Sequence, residues 1–501
     1  MINKYIKLIS LSLLTAFSIS CDDKLELEPY QSIEDDQALS SPQNVRAVLV
    51  GAYDELGVDN LFGGETLMNS ELLGGNGEIL WNGTYNAPRE IFNKQMQTVN
   101  GNASEVWLEG YETINITNNV LSALDIFDDA SEKDLVEGEA KFIRGMVYFE
   151  LIRFYAQPYD PETTNTQDGV PIILTPTDFI TEENNVSRSS VEDVYSQILS
   201  DLGDAKEKLP NENGFFATNF AASALLARVY LTMGNFSAAR DEANNVIENG
   251  SFSLTSSFSG AFNNTSNTLE DIFAIQVTSQ DGTNAMNTYF ATETFGGRTG
   301  GDIDVLNAHL NLYEKKDSIL ENDLILSGGL FQLSGGTGDP VPTYITFANG
   351  YDVGDTIPSG ESIKWPLDDR LMMFYGYSGT SLTYKFTNNY GNVPILRLAE
   401  MYLIRAEANL EEGTTTGASP LEDINTLRER ANAPLLTSVT LDDVYMERRL
   451  ELAFEGHKIH DIKRLQGSVG NFPYNAEELV FPIPQRERNV NPNLSQNAGY
   501  N

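Results

Sequence analysis

The chain has 501 residues, 72 of them acidic and 32 basic, for a formal net charge of −40. A surface this acidic repels nucleic acid and anionic lipid head groups and disfavours a highly anionic ligand, whereas a neutral ligand suffers no such penalty. Cys21 is the only cysteine, so no intramolecular disulfide can form, and stability has to come from a packed core that 41% hydrophobic residues can supply.

The first twenty residues predict a secretory leader. Lys4 and Lys7 open it, and residues 8–20 (LISLSLLTAFSIS) form an uncharged, mostly apolar run ending in the small residue Ser20. The run is too short for a membrane span, which takes about 20 apolar residues. Cys21 follows directly, where a bacterial lipoprotein is cleaved and acylated. Lipidation of Cys21 is therefore expected to anchor the mature chain to a membrane. An ordinary leader with an incidental cysteine is the alternative. Residues 21–38 are acidic, with few large apolar groups, and read as a solvated tether.

Residues 39–250 carry helical periodicity. Ser41-Pro42 predicts a helix start, and Val45, Val48, Leu49 and Ala52 keep helical spacing through Leu56. The pattern returns over 104–127 and 132–156, and Ser189 with Glu192 predicts a capping box for a helix ending near Leu209-Pro210. Residues 219–249 form two helical runs joined at Gly234-Asn235, with Ala227, Tyr230, Phe236, Ala239 and Ala243 at contact positions. This resembles a tetratricopeptide-type hairpin. Residues 251–394 are rich in Gly, Ser, Thr, Asn and Asp, with short strand-like runs (DIFAIQV, TYITFA), and read as a loop-rich insertion. Helix returns at 395–412, 420–431 and 441–465, and a Pro-rich coil closes the C-terminal region of 395–501.

Several segments together resemble the SusD/RagB family of surface glycan-binding lipoproteins of Bacteroidetes. They are Glu139-Ala-Lys-Phe-Ile-Arg144 with Tyr148-Phe149, Gly169-Val-Pro-Ile172, and Arg188 through Tyr195 with Asp201-Leu202. The strongest are Pro394-Ile-Leu-Arg-Leu-Ala-Glu-Met-Tyr-Leu-Ile-Arg-Ala-Glu-Ala408 and Arg448-Arg-Leu-Glu-Leu-Ala-Phe-Glu-Gly-His457 with Asp461 and Arg464. Pro482-Ile-Pro484, Asn491-Pro492 and Gln496-Asn497 complete the set, and the likeness weakens across 255–390. The resemblance implies a mostly α-helical, SusD-like fold, with tetratricopeptide-like hairpins supporting a variable loop-rich face with short strands. It also implies non-catalytic capture of oligo- or polysaccharide at the outer membrane, as the lid of a SusC-like, TonB-dependent transporter. A surface glycoside hydrolase, a RagB-like peptide-binding lipoprotein and a peptide-binding scaffold are the competing readings.

Sugar binding asks for exposed aromatic faces against C–H surfaces and short polar side chains for the hydroxyls. The segment Asp59-Asn60-Leu-Phe-Gly-Gly-Glu65 through Trp81-Asn82-Gly-Thr-Tyr85 combines both. The candidate ligand residues are thus Asp59, Asn60, Glu65, Trp81, Asn82 and Tyr85, with Trp81 as stacking platform or, alternatively, as core. Trp107 reads as core. In the insertion, Tyr289, Phe290, Phe295, Trp365 and Tyr390 are loop aromatics, and Arg370 either forks onto hydroxyls or pairs with Asp368 or Asp369. Glu400, Arg405, Glu407, Arg448, Arg449, Glu451 and Glu455 read as ion pairs between helices. His457, His460 and Asp461 share a helix face, but no His-Glu-x-x-His and no EF-hand-like loop occurs. Gly-x-Ser-x-Gly is absent and no carboxylate pair stands out, so no catalytic residue, metal or cofactor is expected.

Overall fold

The computed structural model describes residues 38–177, 182–319, 324–325, 356–377 and 380–500. Cys21, the leader and the tether up to residue 37 lie outside these, as does the strand-like run TYITFA at 343–348.

Before the insertion come helices α1 (Pro42–Leu56), α2 (Glu65–Gly74), α3 (Asn86–Asn93), α4 (Gly101–Ser122), α5 (Ala130–Tyr155), α6 (Val191–Lys208), α7 (Asn219–Thr232) and α8 (Phe236–Asn249), with strand β1 (Ile79–Trp81) between α2 and α3. Their starts follow from side-chain chemistry. Ser41 accepts from the Asn44 N–H with Pro42 in the first turn, and Asp129, Thr218 and Asn235 cap α5, α7 and α8 in the same way. The cap of α6 is Ser190 rather than Ser189, and it accepts from Asp193 N–H at 3.1 Å. Ser189 is already committed, because its backbone bonds Gly169 and Val170 across the chain.

The insertion holds β2 (Asp271–Ile275), α9 (Ala285–Phe290), β3 (Ile303–Val305), α10 (Asn307–Leu310), β4 (Lys315–Ile319), β5 (Leu324–Ile325), β6 (Thr356–Ile357), β7 (Ser362–Pro366), β8 (Phe374–Tyr377), β9 (Thr380–Thr383) and β10 (Val393–Arg397). Among the described residues these strands form two-stranded antiparallel ladders: β1 with β3, β2 with β10, β4 with β7, β5 with β6 and β8 with β9. The β2–β10 ladder joins the insertion's entry and exit, so a long excursion returns to where it left. Ile395–Arg397, expected to open a helix, belong to strand β10 for this reason. Helix resumes at α11 (Leu398–Glu412), followed by α12 (Pro420–Arg430), α13 (Leu441–Glu451) and α14 (Lys458–Arg464).

Neighbours in sequence are neighbours in space. Helix α4 packs on α5, α5 on α6, α6 on α7 and α7 on α8; α8 then packs on α11, and α11 on α12 and α13. The stack continues across the insertion as though it were not there. One large apolar core runs from α1 to α11 and takes in β2, where Phe273 meets Phe142 of α5 edge to face at 5.1 Å, and a smaller cluster joins α11, α12 and α13. Trp107 is buried in that core between Tyr111 and Tyr155.

Two departures shape the region around α2 and β1. The helix expected over 441–465 breaks at Leu452–His457, where Gly456 adopts φ +83° and a Cβ there would meet Leu67 backbone at 2.8 Å. The N–H freed at Gly456 donates to Glu71 at 3.0 Å, and α14 turns back onto α2. Helix α2 is the second departure. All ten of its residues are buried, and the stretch expected to be an open loop is an internal strut.

Its C-terminal carbonyls need donors, and Lys94 supplies them. The buried Nζ donates to the carbonyls of Leu72 (3.2 Å), Gly75 (2.8 Å) and Phe92 (2.7 Å), while burial lowers its pKa to about 8. Lys94→Met is expected to leave these acceptors without a partner and cost about 1–3 kcal/mol, measured as a lowered urea midpoint near neutral pH. An unchanged midpoint would show that Lys94 does not hold α2.

Candidate functional site

Strand β1 decides which side chains face outward. Successive residues alternate across a strand, and here Ile79 and Trp81 point inward while Leu80 and Asn82 point out. Trp81 is only 6% exposed; its ring lies against Gly83 and is 6.2 Å from the ring of Tyr289. It is a core tryptophan, not an open stacking platform. The exposed ring of this segment is Tyr85, at 49%.

Tyr85 is held in place by two residues of the insertion. The Arg298 guanidinium lies 4.1 Å over its ring, and Tyr289 meets its edge at 6.4 Å. Arg298 also donates to Thr84 Oγ1 at 2.8 Å and pairs with Asp302 at 2.6 Å, so its plane is fixed from both ends. The Tyr289 hydroxyl donates to Glu65 at 2.9 Å, and the Glu65 N–H donates to the Asp59 carbonyl at 2.8 Å. Asp59, Glu65, Trp81 and Tyr85 are thereby brought together, with Asn82 exposed beside them and bonded through its backbone to Asp302. Asn60 is half-buried in the turn before α2.

Arg298 and Asp302 were invisible to the spacing argument. Arg298 lies in the Gly-rich stretch Gly296-Gly-Arg-Thr-Gly-Gly301, and only the β1–β3 pairing carries it across to Tyr85.

The other insertion candidates divide. Arg370 is wholly buried: it bonds Asp368 at 2.8 Å and Glu447 at 2.5 Å, with Glu451 at 3.6 Å. The ion-pair alternative holds, with Asp368, and no donor is left to reach a ligand surface. Phe290 is core, packed on Phe386 and Phe454, and Phe295 is half-buried against Tyr375 and Tyr384. Trp365 is half-buried on β7, opposite Lys316 of β4. Tyr390 is exposed, in a turn that Asn284 at the start of α9 holds through the carbonyls of Asn388 and Gly391.

Burial raises the Glu65 carboxyl to about 7, with the charges of Asp59 and Glu105 adding to the rise and the Tyr289 hydroxyl opposing it. Between the ordinary 4.5 and that value the folded state binds the extra proton. The stability this confers is complete below the lower value and is lost as pH rises to the upper one, about 3 kcal/mol in all. Glu65→Gln is therefore expected to gain stability relative to the wild type between about pH 5 and about pH 8. Urea midpoints at the two pH values test this; an unchanged difference would contradict it.

Among the described residues, the one group of acids placed to share an ion is Glu55, Glu109 and Glu112, whose ligand oxygens lie within 4.8 Å of one another. Burial and these neighbours push Glu55 up to about 8, so a proton relieves the repulsion at neutral pH. His457, His460 and Asp461 do not converge. Asp461 is held by Arg448 and Arg464, and His457 lies 3.2 Å from Arg448. His460 packs edge to face on Phe154 at 5.1 Å. Their segment borders a cavity of about 530 Å³ between α2, α13 and α14.

A stack of paired helices closed around an insertion of short two-stranded ladders defines a helical repeat scaffold. The chain belongs to the SusD/RagB family. Residues 23–231 match the SusD-like family described as "Starch-binding associating with outer membrane", and residues 362–478 match the family described as "SusD family". SusD-like protein P2 of Formosa agariphila is 26% identical over 520 residues, covering 96% of this chain and 97% of its own. The starch-binding protein SusD of Bacteroides thetaiotaomicron is 29% identical over 195 residues, covering 30% of this chain and 34% of its own. Among solved structures, a SusD superfamily protein from Bacteroides thetaiotaomicron superposes with a TM-score of 0.73 at 22% identity, covering 91% of this chain and 99% of the other. A SusD-like carbohydrate binding protein from Bacteroides vulgatus gives 0.66 at 19% identity, over 91% and 97%. These likenesses extend along the helical stack on both sides of the insertion. The fold is the SusD-like helical fold, and the family is one of starch- and glycan-binding proteins associated with the outer membrane.

Proposed function

We propose that this protein is a surface-exposed lipoprotein, anchored through lipid on Cys21, that binds a neutral oligo- or polysaccharide at the Tyr85 face without cleaving it. It passes the glycan to a SusC-like, TonB-dependent outer-membrane transporter, over which it acts as the lid. The observation that carries the binding site is the exposed Tyr85 ring, braced by Arg298 and Tyr289, with Asn82, Thr84 and Asp59 as hydrogen-bonding neighbours. A fixed ring loses little freedom when a sugar stacks on it, and the polar groups around it can read hydroxyls. The net charge of −40 favours an uncharged polymer. The leader and Cys21 support the anchor, and the family's description supports the outer-membrane setting.

Affinity electrophoresis and calorimetry against a panel of starch, fructan, β-glucan and other neutral glycans test this reading. Tyr85→Ala is expected to weaken binding about tenfold, the stacking contribution of one ring, with little change in the urea midpoint. Release of reducing ends from any panel member would replace the reading with hydrolysis. Recovery of peptides in place of glycans would replace the ligand class. Co-purification with a large outer-membrane barrel is the result expected for the transporter partnership.

A further inference from the structure

Beside Asp59 lies a groove of about 260 Å³, floored by Tyr53, Phe216 and Phe273 and rimmed by Gln276, Asp281 and Asn284. Two consecutive phenylalanines stand open at its mouth, Phe215 59% exposed and Phe216 38%. They are held there by chemistry. The Phe216 ring packs 4.9 Å from Tyr53, whose own ring meets Phe273 at 6.5 Å, and the Tyr53 hydroxyl accepts from the Ala217 N–H at 3.0 Å. A loop tip that displays large apolar rings to water on a fixed base has the composition of a recognition surface.

The groove and the Tyr85 face share structural elements. Asp59 and Gly63 line the groove, and Asp59 also holds the Glu65 N–H, whose carboxylate holds Tyr289. The Gly63 carbonyl accepts from the Ala285 N–H at 3.1 Å, and Asn284 caps α9. The groove therefore opens at the N-terminal end of the helix whose next turn carries Tyr289 towards Tyr85.

We propose that this groove is a further sugar subsite, continuous with the Tyr85 face, so that the protein holds an extended neutral glycan chain rather than a single ring. The inference rests on the reading of the Tyr85 face as the glycan site. The exposed Phe215 and Phe216 rings suit a sugar's C–H face and the exposed Asp54, Asp59 and Asp281 carboxylates its hydroxyls, and the volume lies just below that of ligand clefts, about 300–1,000 Å³. Asp54, Asp59 and Asp281 around the groove oppose an anionic chain or membrane surface.

The test is calorimetry with malto-, laminari- and cello-oligosaccharides from disaccharide to octasaccharide. The wild type is compared with Tyr85→Ala, with the double variant Phe215→Ala/Phe216→Ala, and with Phe215→Asp, which leaves the Tyr53 contact intact. The wild type is expected to bind longer members of one series more tightly. Both Phe variants are expected to lose about tenfold on the long members and nothing on the shortest. Affinity that does not rise with length, or Phe variants that follow the wild type at every length, overturns the subsite. If Tyr85→Ala alone loses binding, the subsite falls and the Tyr85 reading stands; if the wild type binds no member here and no glycan of the wider panel, both fall. Phe variants that lose only their co-purifying outer-membrane barrel would assign the groove to that partner and overturn the proposal.

Discussion

Arg370→Met is expected to destabilise the protein by about 3–5 kcal/mol, because it removes one partner from a buried ion network without removing the other. Arg370 is surrounded by Asp368, Glu447 and Glu451 with no access to water. The network extends beyond it: Glu451 also pairs with Arg397 and Arg430, Arg428 pairs with Glu447, and Glu270 pairs with Arg397 and Arg430. These contacts join the insertion to α12, α13 and β10. Methionine keeps much of the arginine stem, so the loss registers the uncompensated carboxylates rather than a cavity. Urea denaturation measures it, and Asp368→Asn in the Arg370→Met background is expected to restore part of it. An Arg370→Met midpoint equal to the wild type would mean that neighbouring arginines already neutralise these acids.

The same variant carries a pH signature. Burial alone would raise Glu451, but Arg430, Arg397 and Arg370 outweigh it and hold the carboxyl at about 2. A depressed carboxylate stabilises the fold above its ordinary pKa of 4.5, and that stability drains away as pH falls towards 2. With Arg370 gone, acid unfolding is expected to begin at higher pH.

Trp81→Ala is expected to cost about 3–5 kcal/mol, the range for emptying a large aromatic site in a core. The ring is buried beneath Tyr289 and against Gly83, so its loss leaves a cavity under the face that Tyr85 presents. Tyr85→Ala is expected to spare stability and reduce affinity, and Trp81→Phe to recover most of the midpoint lost in Trp81→Ala. A Trp81→Ala protein with a wild-type midpoint and reduced glycan affinity would reverse the two assignments.

Both variants bear on what could be read before the fold was known. The long helices were legible because their apolar residues recur at the helical period over many turns, and because Ser41-Pro42 and the Gly234-Asn235 joint punctuate them. Helix α2 was not. Its sequence, ETLMNSELLG between paired glycines, has no polar face because it is buried on every side, and Asn69, Ser70 and Glu71 are inside. A helix without a solvent side leaves no periodic signature. Arg370 looked the same as a ligand-facing arginine, since a guanidinium suits both a carboxylate in the core and a hydroxyl at the surface. Only the arrival of Glu447 and Glu451 from α13 decides between them.

Composition and local order were enough to set the net acidity, the helical hairpins and the family likeness, because each depends on residue content or on residues close together in the chain. The inward turn of Trp81, the burial of α2 and the bracing of Tyr85 by Arg298 depend on segments hundreds of residues apart. Such pairings are chosen by strand register and packing, which a linear pattern does not encode. The chain's own order specified a helical scaffold with a loop-rich insert; folding alone determined which aromatic ring that insert leaves facing water.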